Sequence, residues 1–322
     1  MNKLNLLDTT LINYYGRILF KEGSINFYNT GSAFEFKFIG SKAITTFSDG
    51  IGQKIRVYID GVDTGIKFIE DSLTICEELS FEEHTIKVVR VNHEVRGIIT
   101  LNNLEIDGEL LTANKKPAIK FEFFGDSITA GYGVNQDGTE DTISNEDGTV
   151  TYAYLTTQHF KAQGNFMCYS GVSVSLPYWV EWIVPDRFKR YSYSTEETPW
   201  DFAKYIPDYV VINLGTNDSG IIELGRGVGE DFAKEYHRFL LDLRSLYKHS
   251  KIICSYGMMG VNEVIRDSIK KAVELSSDSN IYFLEYVPVD CGGYNGHPSK
   301  IGQKDGADQL IKFIENISVN NI

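Results

Sequence analysis

The chain has 322 residues, of which 42% are hydrophobic and 23% charged, so wholesale disorder is excluded and there is room for two domains of ~100–200 residues each. Its 31 basic and 44 acidic residues leave a net charge of −13; phosphate counterion release needs clustered Lys and Arg, so nucleic acid is not an expected partner. Four cysteines (Cys76, Cys168, Cys254 and Cys291) without CxxC spacing read as scattered thiols of a reducing compartment, not as a disulfide framework. The opening Met1-Asn2-Lys3-Leu4-Asn5-Leu6 lacks the apolar run of a signal peptide, and no stretch reaches the ~20 apolar residues of a bilayer span. A soluble, cytoplasmic protein without a membrane partner is therefore expected. The aromatic content of 13%, with 19 Tyr and 19 Phe, suits either a β-rich core or a sugar-binding surface.

Residues 1 to about 112 read as strands almost throughout. Ala33-Phe34-Glu35-Phe36-Lys37-Phe38-Ile39 and Lys54-Ile55-Arg56-Val57-Tyr58-Ile59-Asp60 alternate apolar and polar residues with period two, the mark of half-buried strands. The second runs into Asp60-Gly61, a hairpin signal because both residues tolerate positive φ. Residues 84–91 and 97–101 continue the pattern, and Ile106-Asp107-Gly108-Glu109-Leu110 carries a further turn. Many short strands without amphipathic helices predict an all-β sandwich of jelly-roll type over residues 1–114.

The polar stretch Asn114-Lys115-Lys116-Pro117 marks the boundary to a second domain, 115–322, where strands alternate with helices. Strands are predicted at 119–124, 166–169, 209–214, 251–256 and 281–284. Helices are predicted at 152–163, 232–247 (Phe232, Tyr236, Phe239, Leu240, Leu243 and Leu246 at helical spacing), 262–275 and 299–317. This alternation implies an α/β/α layer structure on a parallel five-stranded sheet, with sites where strands end at their carboxyl edge.

Three polar clusters fall at such edges. Phe124-Gly125-Asp126-Ser127-Ile128-Thr129 sets a serine at the start of a helical segment, where backbone N–H groups can hold negative charge; a capping turn explains the same residues. Asn213-Leu214-Gly215-Thr216-Asn217-Asp218 offers a side-chain amide to a developing oxyanion, or a helix cap. Gly296-His297-Pro298-Ser299 precedes the last helix, so its histidine can fold back over the sheet edge. The other histidines (His84, His93, His159, His237 and His249) lie in strand or helix patterns without such punctuation and read as surface or packing residues.

Together these clusters resemble the SGNH (GDSL-type) hydrolase superfamily, whose blocks are met here in order as Gly125-Asp126-Ser127-Ile128-Thr129, Gly171 within Tyr169-Ser170-Gly171-Val172-Ser173, Gly215-Thr216-Asn217-Asp218, and His297-Pro298. The resemblance implies Ser127 as nucleophile, His297 as general base, and an oxyanion hole from the N–H groups of Ser127 and Gly171 with the Asn217 amide. A serine hydroxyl needs such a base, and each donor on the tetrahedral oxygen contributes roughly 3 kcal/mol. The superfamily usually carries an aspartate three residues before the histidine; that position here is Tyr294. Either a Ser–His dyad operates, a backbone carbonyl holding the imidazole, or Asp290 orients it from an altered loop.

A β-sandwich directly ahead of this domain, with Ile59-Asp60-Gly61, His84-Thr85-Ile86-Lys87-Val88 and Gly131-Tyr132-Gly133, resembles carbohydrate esterase family 2. That resemblance implies removal of O-acetyl groups from mono- or oligosaccharides, with a preference for the primary 6-hydroxyl. All three tryptophans lie within 176–200, so Tyr178, Trp179, Trp182 and Trp200 are candidate sugar platforms or a small core under a long loop; Tyr132 and Tyr294 are further candidates. Asp137-Gly138-Thr139-Glu140-Asp141 with Asp147 lacks the EF-hand ligand order and reads as a solvated acidic loop. No metal and no cofactor are expected. Two other readings stand beside an acetyl esterase: a lipase or thioesterase acting on longer acyl chains, and a non-catalytic carbohydrate-binding protein. The sequence does not bear on oligomeric state.

Overall fold

A computed structural model of the chain describes residues 1–136, 140–194 and 197–319. The N-terminal strands are β1 (Asn2–Lys3), β2 (Ile12–Tyr15), β3 (Ile18–Lys21), β4 (Ser24–Phe27), β5 (Ala33–Gly40) and β6 (Ala43–Asp49). They continue with β7 (Lys54–Ile59), β8 (Val62–Phe68), β9 (Ser72–Cys76), β10 (Glu82–Arg90), β11 (Ile99–Ile106) and β12 (Glu109–Leu111). They form two six-stranded antiparallel sheets. One has the order β3-β4-β11-β6-β9 with β1 on β11, the other β12-β5-β10-β7-β8 with β2 on β5. The inward residues of both sheets make one core: Phe34, Phe36 and Phe38 of β5 meet Ile25, Leu101 and Leu104 from the other sheet. The period-two alternation is thus the sandwich itself, because successive side chains leave a strand on opposite faces. Asp60 and Gly61 close the β7–β8 hairpin at φ 53° and 80°, the left-handed pair that a two-residue turn requires.

The C-terminal unit comprises β13 (Lys120–Gly125), α1 (Ser127–Ala130), α2 (Tyr152–His159), β14 (Gln163–Cys168), α3 (Val184–Arg187), β15 (Tyr209–Asn213) and α4 (Thr216–Glu223). It ends with α5 (Gly229–Leu246), β16 (Lys251–Tyr256), α6 (Glu263–Ser276), β17 (Ile281–Glu285) and α7 (Lys300–Val319). The five strands are parallel in the order β14-β13-β15-β16-β17. Side chains alternate between two helical layers. Phe124 and Ile212 face a core with Phe239, Leu240 and Ile265, whereas Phe121 and Phe123 face one with Tyr152, Leu310 and Ile314.

Two boundaries differ from expectation. The helix from 152 stops at His159, and β14 begins at Gln163 rather than at Phe166. Gln163, Gly164 and Asn165 pair with Lys120, Phe121 and Glu122, so a ladder partner overrides the weak strand preference of Gly and Asn.

The two units are pressed together. Tyr15, Ala33 and Val89 of the antiparallel sheets join the core of the parallel one. A Cβ on Gly31 would come within 2.5 Å of the Phe166 ring. Arg17, with no exposed side-chain surface, donates from Nε (3.1 Å) and Nη2 (2.6 Å) to Glu122 on β13, and from Nη1 to the carbonyls of Phe188 and Arg190. The second Glu122 oxygen accepts from the Tyr247 hydroxyl.

Candidate active site

The strand order places the switch of the winding at β13, between β14 on one side and β15 on the other, where open parallel sheets form their crevice. Gly125, Cys168 and Asn213 stand level with one another in the register. The residues just beyond them, Ser127, Gly171 and Asn217, therefore emerge together, and all three line one cleft with His297.

Ser127 opens α1 after a sharp turn whose close packing requires Gly125: a Cβ there would fall 2.0 Å from Thr129 Oγ1. The Asp126 carboxylate caps this turn by accepting from the Ile128 N–H at 3.0 Å. Its second oxygen has no partner among the described residues, and burial pushes the carboxyl up to about 7.

His297 reaches Ser127 from the loop before α7, with Nε2 2.9 Å from Ser127 Oγ. Its Nδ1 lies 3.3 Å from the Asn295 carbonyl. The carbonyl can only accept, so Nδ1 carries the proton and donates, leaving Nε2 bare to accept from the serine. Asn295 reaches this position by adopting left-handed φ 52° and ψ 37°, a conformation that asparagine tolerates better than most residues. Gly133 supports the loop from beneath: its carbonyl accepts from the Tyr294 N–H at 2.7 Å, and a Cβ on it would meet Tyr294 O at 2.5 Å.

Asp290 does not orient the imidazole. Its carboxylate accepts from the Ser299 hydroxyl, and its carbonyl accepts from the Ser299 N–H at 3.1 Å, so it braces the start of α7. Asp290→Asn is therefore expected to keep ester hydrolysis within roughly tenfold; a fall near 10⁴ in kcat, the size seen when a triad aspartate is replaced, would make it part of the machinery.

Burial lowers the His297 pKa, and the Asn295 and Tyr294 backbone offsets this only in part. A lowered pKa keeps the base neutral, hence competent, into more acid solution. The acid limb of kcat/KM for an aryl acetate is expected to have its midpoint below the ordinary imidazole value of ~6.5, as a pH–rate profile would read. Asp126→Asn, which keeps an acceptor for the Ile128 N–H, is expected to leave that limb in place.

The candidate oxyanion donors are each held. Asn217 Nδ2 donates one hydrogen to the Val172 carbonyl at 2.8 Å, which fixes the amide's orientation and leaves its second hydrogen available. Gly171 sits at φ +83°, and a Cβ there would come within 2.6 Å of Trp179 Cβ. Asp218, wholly buried, accepts from the N–H groups of Val174 (3.0 Å) and Ser175 (2.9 Å) and from the Ser175 hydroxyl, pinning the segment after Gly171.

The aromatic candidates separate. Trp179 is 72% exposed and lines the cleft mouth. Tyr132 lines it too, its ring 4.8 Å from that of His297, with Tyr294 edge-on behind at 6.1 Å. Tyr178 stands beside Trp179 at 5.0 Å with its hydroxyl end over Gly220 and does not line the cleft. Trp182 is packed under the loop, stacked on Tyr193 at 5.3 Å and covered by the Arg187 guanidinium. Trp200 is buried against Tyr191, with Arg17 5.5 Å from its ring. The long insertion is thus mostly a small core with one indole presented to the cleft.

Several lining residues carried no such expectation. His93, read as a packing residue, and Val95 come from the antiparallel unit, and Asp141, Ser170 and Asn295 complete the wall. His93 Nε2 is 3.2 Å from Glu146 and 3.5 Å from Ser170 Oγ. Against its burial, His93, Arg96 and Asn92 hold the Glu146 carboxyl down to about 2. Of the acidic loop, Asp137, Gly138 and Thr139 lie outside the described residues. Of the rest, Glu140 is exposed, whereas Asp141 pairs with Arg96 and the buried Asp147 pairs with Arg56 at 2.8 Å. The antiparallel unit also holds the Trp-bearing segment, since the Glu94 carboxylate accepts from the N–H groups of Tyr193 (2.9 Å) and Ser194 (2.8 Å).

Residues 123–283 match the model of the GDSL-like lipase/acylhydrolase family, and residues 14–113 match that of the carbohydrate esterase 2 N-terminal region. Cellulase/esterase CelE of Acetivibrio thermocellus is 27% identical over 309 residues, covering 89% of this chain and 37% of that protein. An acetylxylan esterase / glucomannan deacetylase of Cellvibrio japonicus is 25% identical over 184 residues, covering 54% of this chain and 50% of that one. The chain thus spans half or less of the length of these curated relatives. A family two carbohydrate esterase from Clostridium thermocellum, solved with cellohexaose, superposes with TM-score 0.87 at 27% identity over 95% of this chain and 98% of that one. The acetyl xylan esterase Est2A of Butyrivibrio proteoclasticus shares the fold, with TM-score 0.85 at 21% identity over 98% and 97%.

Proposed function

The chain belongs to the GDSL-like lipase/acylhydrolase family, joined to a carbohydrate esterase 2 N-terminal domain, and from that premise we propose that it is a serine esterase removing acetyl groups from saccharides. The observation that carries this reading is the 2.9 Å contact of Ser127 Oγ with His297 Nε2, at the floor of a cleft whose mouth bears an exposed indole. Ser127 Oγ attacks the acetyl carbonyl carbon while His297 Nε2 takes its proton. The N–H groups of Ser127 and Gly171 and the free Asn217 hydrogen receive the oxyanion. His297 then returns the proton to the departing sugar oxygen, leaving an acetyl ester on Ser127. Water, deprotonated by the same imidazole, releases acetate by the reverse sequence. The Asn295 carbonyl can play the aspartate's orienting part, though as a neutral acceptor it stabilises the imidazolium less.

Ser127 and His297 are 8% and 9% exposed against 72% for Trp179, a floor and a mouth. A primary ester stands one methylene off its ring, which suits a ring stacked at the mouth and an acetyl group at the floor; the 6-hydroxyl is the position we favour. The wall sets His93, Asp141, Ser170, Asn217 and Asn295 beside Val95, Tyr132 and Trp179, polar groups for sugar hydroxyls next to apolar faces for the ring. NMR-monitored deacetylation of a fully acetylated glucoside tests the reading, with the 6-acetyl expected to leave first. A panel of p-nitrophenyl esters is expected to lose kcat/KM steeply beyond acetate. Equal or rising rates with chain length would instead favour a lipase or thioesterase.

A further inference from the structure

Among the described residues lining the cleft, Asp141 is the one carboxylate. Its side chain is 47% exposed. One oxygen accepts from Arg96 Nη2, and the other has no partner among the described residues. Arg96 is itself clamped, because its Nε donates at 2.6 Å to Glu146, whose side chain is fully buried. Glu146 accepts in addition from Asn92 Nδ2 at 3.0 Å, and His93 Nε2 lies 3.2 Å from it. Residues 92–96 belong to the antiparallel unit, between β10 and β11. A chain of charge-assisted hydrogen bonds therefore runs from the interior of that unit to a carboxylate oxygen left open to the cleft.

We infer that Asp141 is a saccharide-binding residue, its open oxygen accepting from ring hydroxyls of the substrate, and that Arg96 is its positioning residue. The chemistry is selective. An ionised carboxylate is an acceptor only, so it favours ligands that present hydroxyl donors, and O–H···O⁻ bonds are roughly twice as strong as neutral ones. An exposed indole in the same cleft offers an apolar face for the C–H side of a sugar ring, so Asp141 and Trp179 would take the two chemically different sides of one ligand. The Arg96 contact fixes the carboxylate before substrate arrives, which reduces the ordering entropy on binding. The antiparallel unit accordingly contributes to substrate recognition through its 92–96 corner rather than through a separate sugar site. This rests on the saccharide esterase reading above and specifies which residue reads the sugar.

The test compares a methyl glucoside acetylated at the 6-hydroxyl with p-nitrophenyl acetate, which has no hydroxyl to donate. In Asp141→Ala the ratio of kcat/KM for the sugar ester to that for the aryl ester is expected to fall about tenfold, carried by KM with kcat nearly constant. Asp141→Asn, which keeps a weaker acceptor, is expected to fall between. Arg96→Gln is expected to lower the same ratio, again through KM. An unchanged ratio overturns the assignment, whether neither substrate is affected or both fall together as a structural defect would require. Failure of the unaltered chain to cleave any sugar ester while cleaving the aryl ester overturns the saccharide reading and this inference with it.

Discussion

Ser127→Ala is expected to lower kcat for acetate release by about 10⁵–10⁶, and His297→Ala to cost nearly as much. The two side chains form one unit: without the imidazole the hydroxyl keeps its proton, and without the hydroxyl the imidazole has nothing to activate. The double variant should therefore be little worse than either single one, rather than showing the product of the two losses. The proposed oxyanion donors are two backbone groups and Asn217, none of which these substitutions remove, so a residual acceleration over water should persist. Quenched turnover of an aryl acetate followed by intact-mass measurement gives a direct check. The unaltered protein should show an acetyl adduct that peptide mapping places on Ser127, and Ser127→Ala should show none. Activity within tenfold of the unaltered protein in Ser127→Ala would remove the proposed mechanism altogether.

Arg17→Ala is expected to be the most damaging substitution away from the cleft, destabilising by about 3–5 kcal/mol, the range for breaking a buried ion pair. Arg17 and Glu122 have no exposed side-chain surface. Removing the guanidinium leaves a buried carboxylate with the Tyr247 hydroxyl as its remaining partner, and strips donors from the carbonyls of Phe188 and Arg190. For a chain of this size the loss corresponds to roughly 5–10 °C in Tm, readable by calorimetry or by urea titration. The cost lies in the stranded charge rather than in the pair, so replacing the whole set, Arg17→Met with Glu122→Leu and Tyr247→Phe, should recover at least half of it. If Arg17→Ala shifts Tm by less than about 2 °C, the network does not tie the units together as described.

Much of this architecture is legible locally. Ala33–Gly40 and Lys54–Ile59 show their sandwich role through alternation alone, because the two faces of a strand meet different solvents. Gly125-Asp126-Ser127, Gly171, Asn217 and His297 are recognisable because each lies in a short segment where backbone turn and chemistry are set together. The start of β14 was less legible, since Gln163-Gly164-Asn165 become strand only by pairing with β13. The loop around His297 could be read two ways, and the left-handed Asn295 that brings a carbonyl to Nδ1 leaves little local signature beyond being an asparagine followed by glycine.

The aromatic segment shows the limit most clearly. Trp179, Trp182 and Trp200 have the same composition-level claim to a sugar. Only their packing separates the one in the cleft from the two in the core, because burial depends on what the rest of the chain brings alongside. His93 and Asp141 were missed or misread for the same reason: they sit 34 residues before and 14 after Ser127 and reach the cleft through contacts between two units. Length, charge and local pattern by themselves determined two units, their fold classes and the candidate catalytic residues, since strand period, turn chemistry and short motifs are properties of neighbouring residues. Tertiary structure alone decided which acceptor orients the base, which indole is free and which part of the antiparallel unit walls the cleft. Those are questions of distance across the fold, which no one-dimensional pattern encodes.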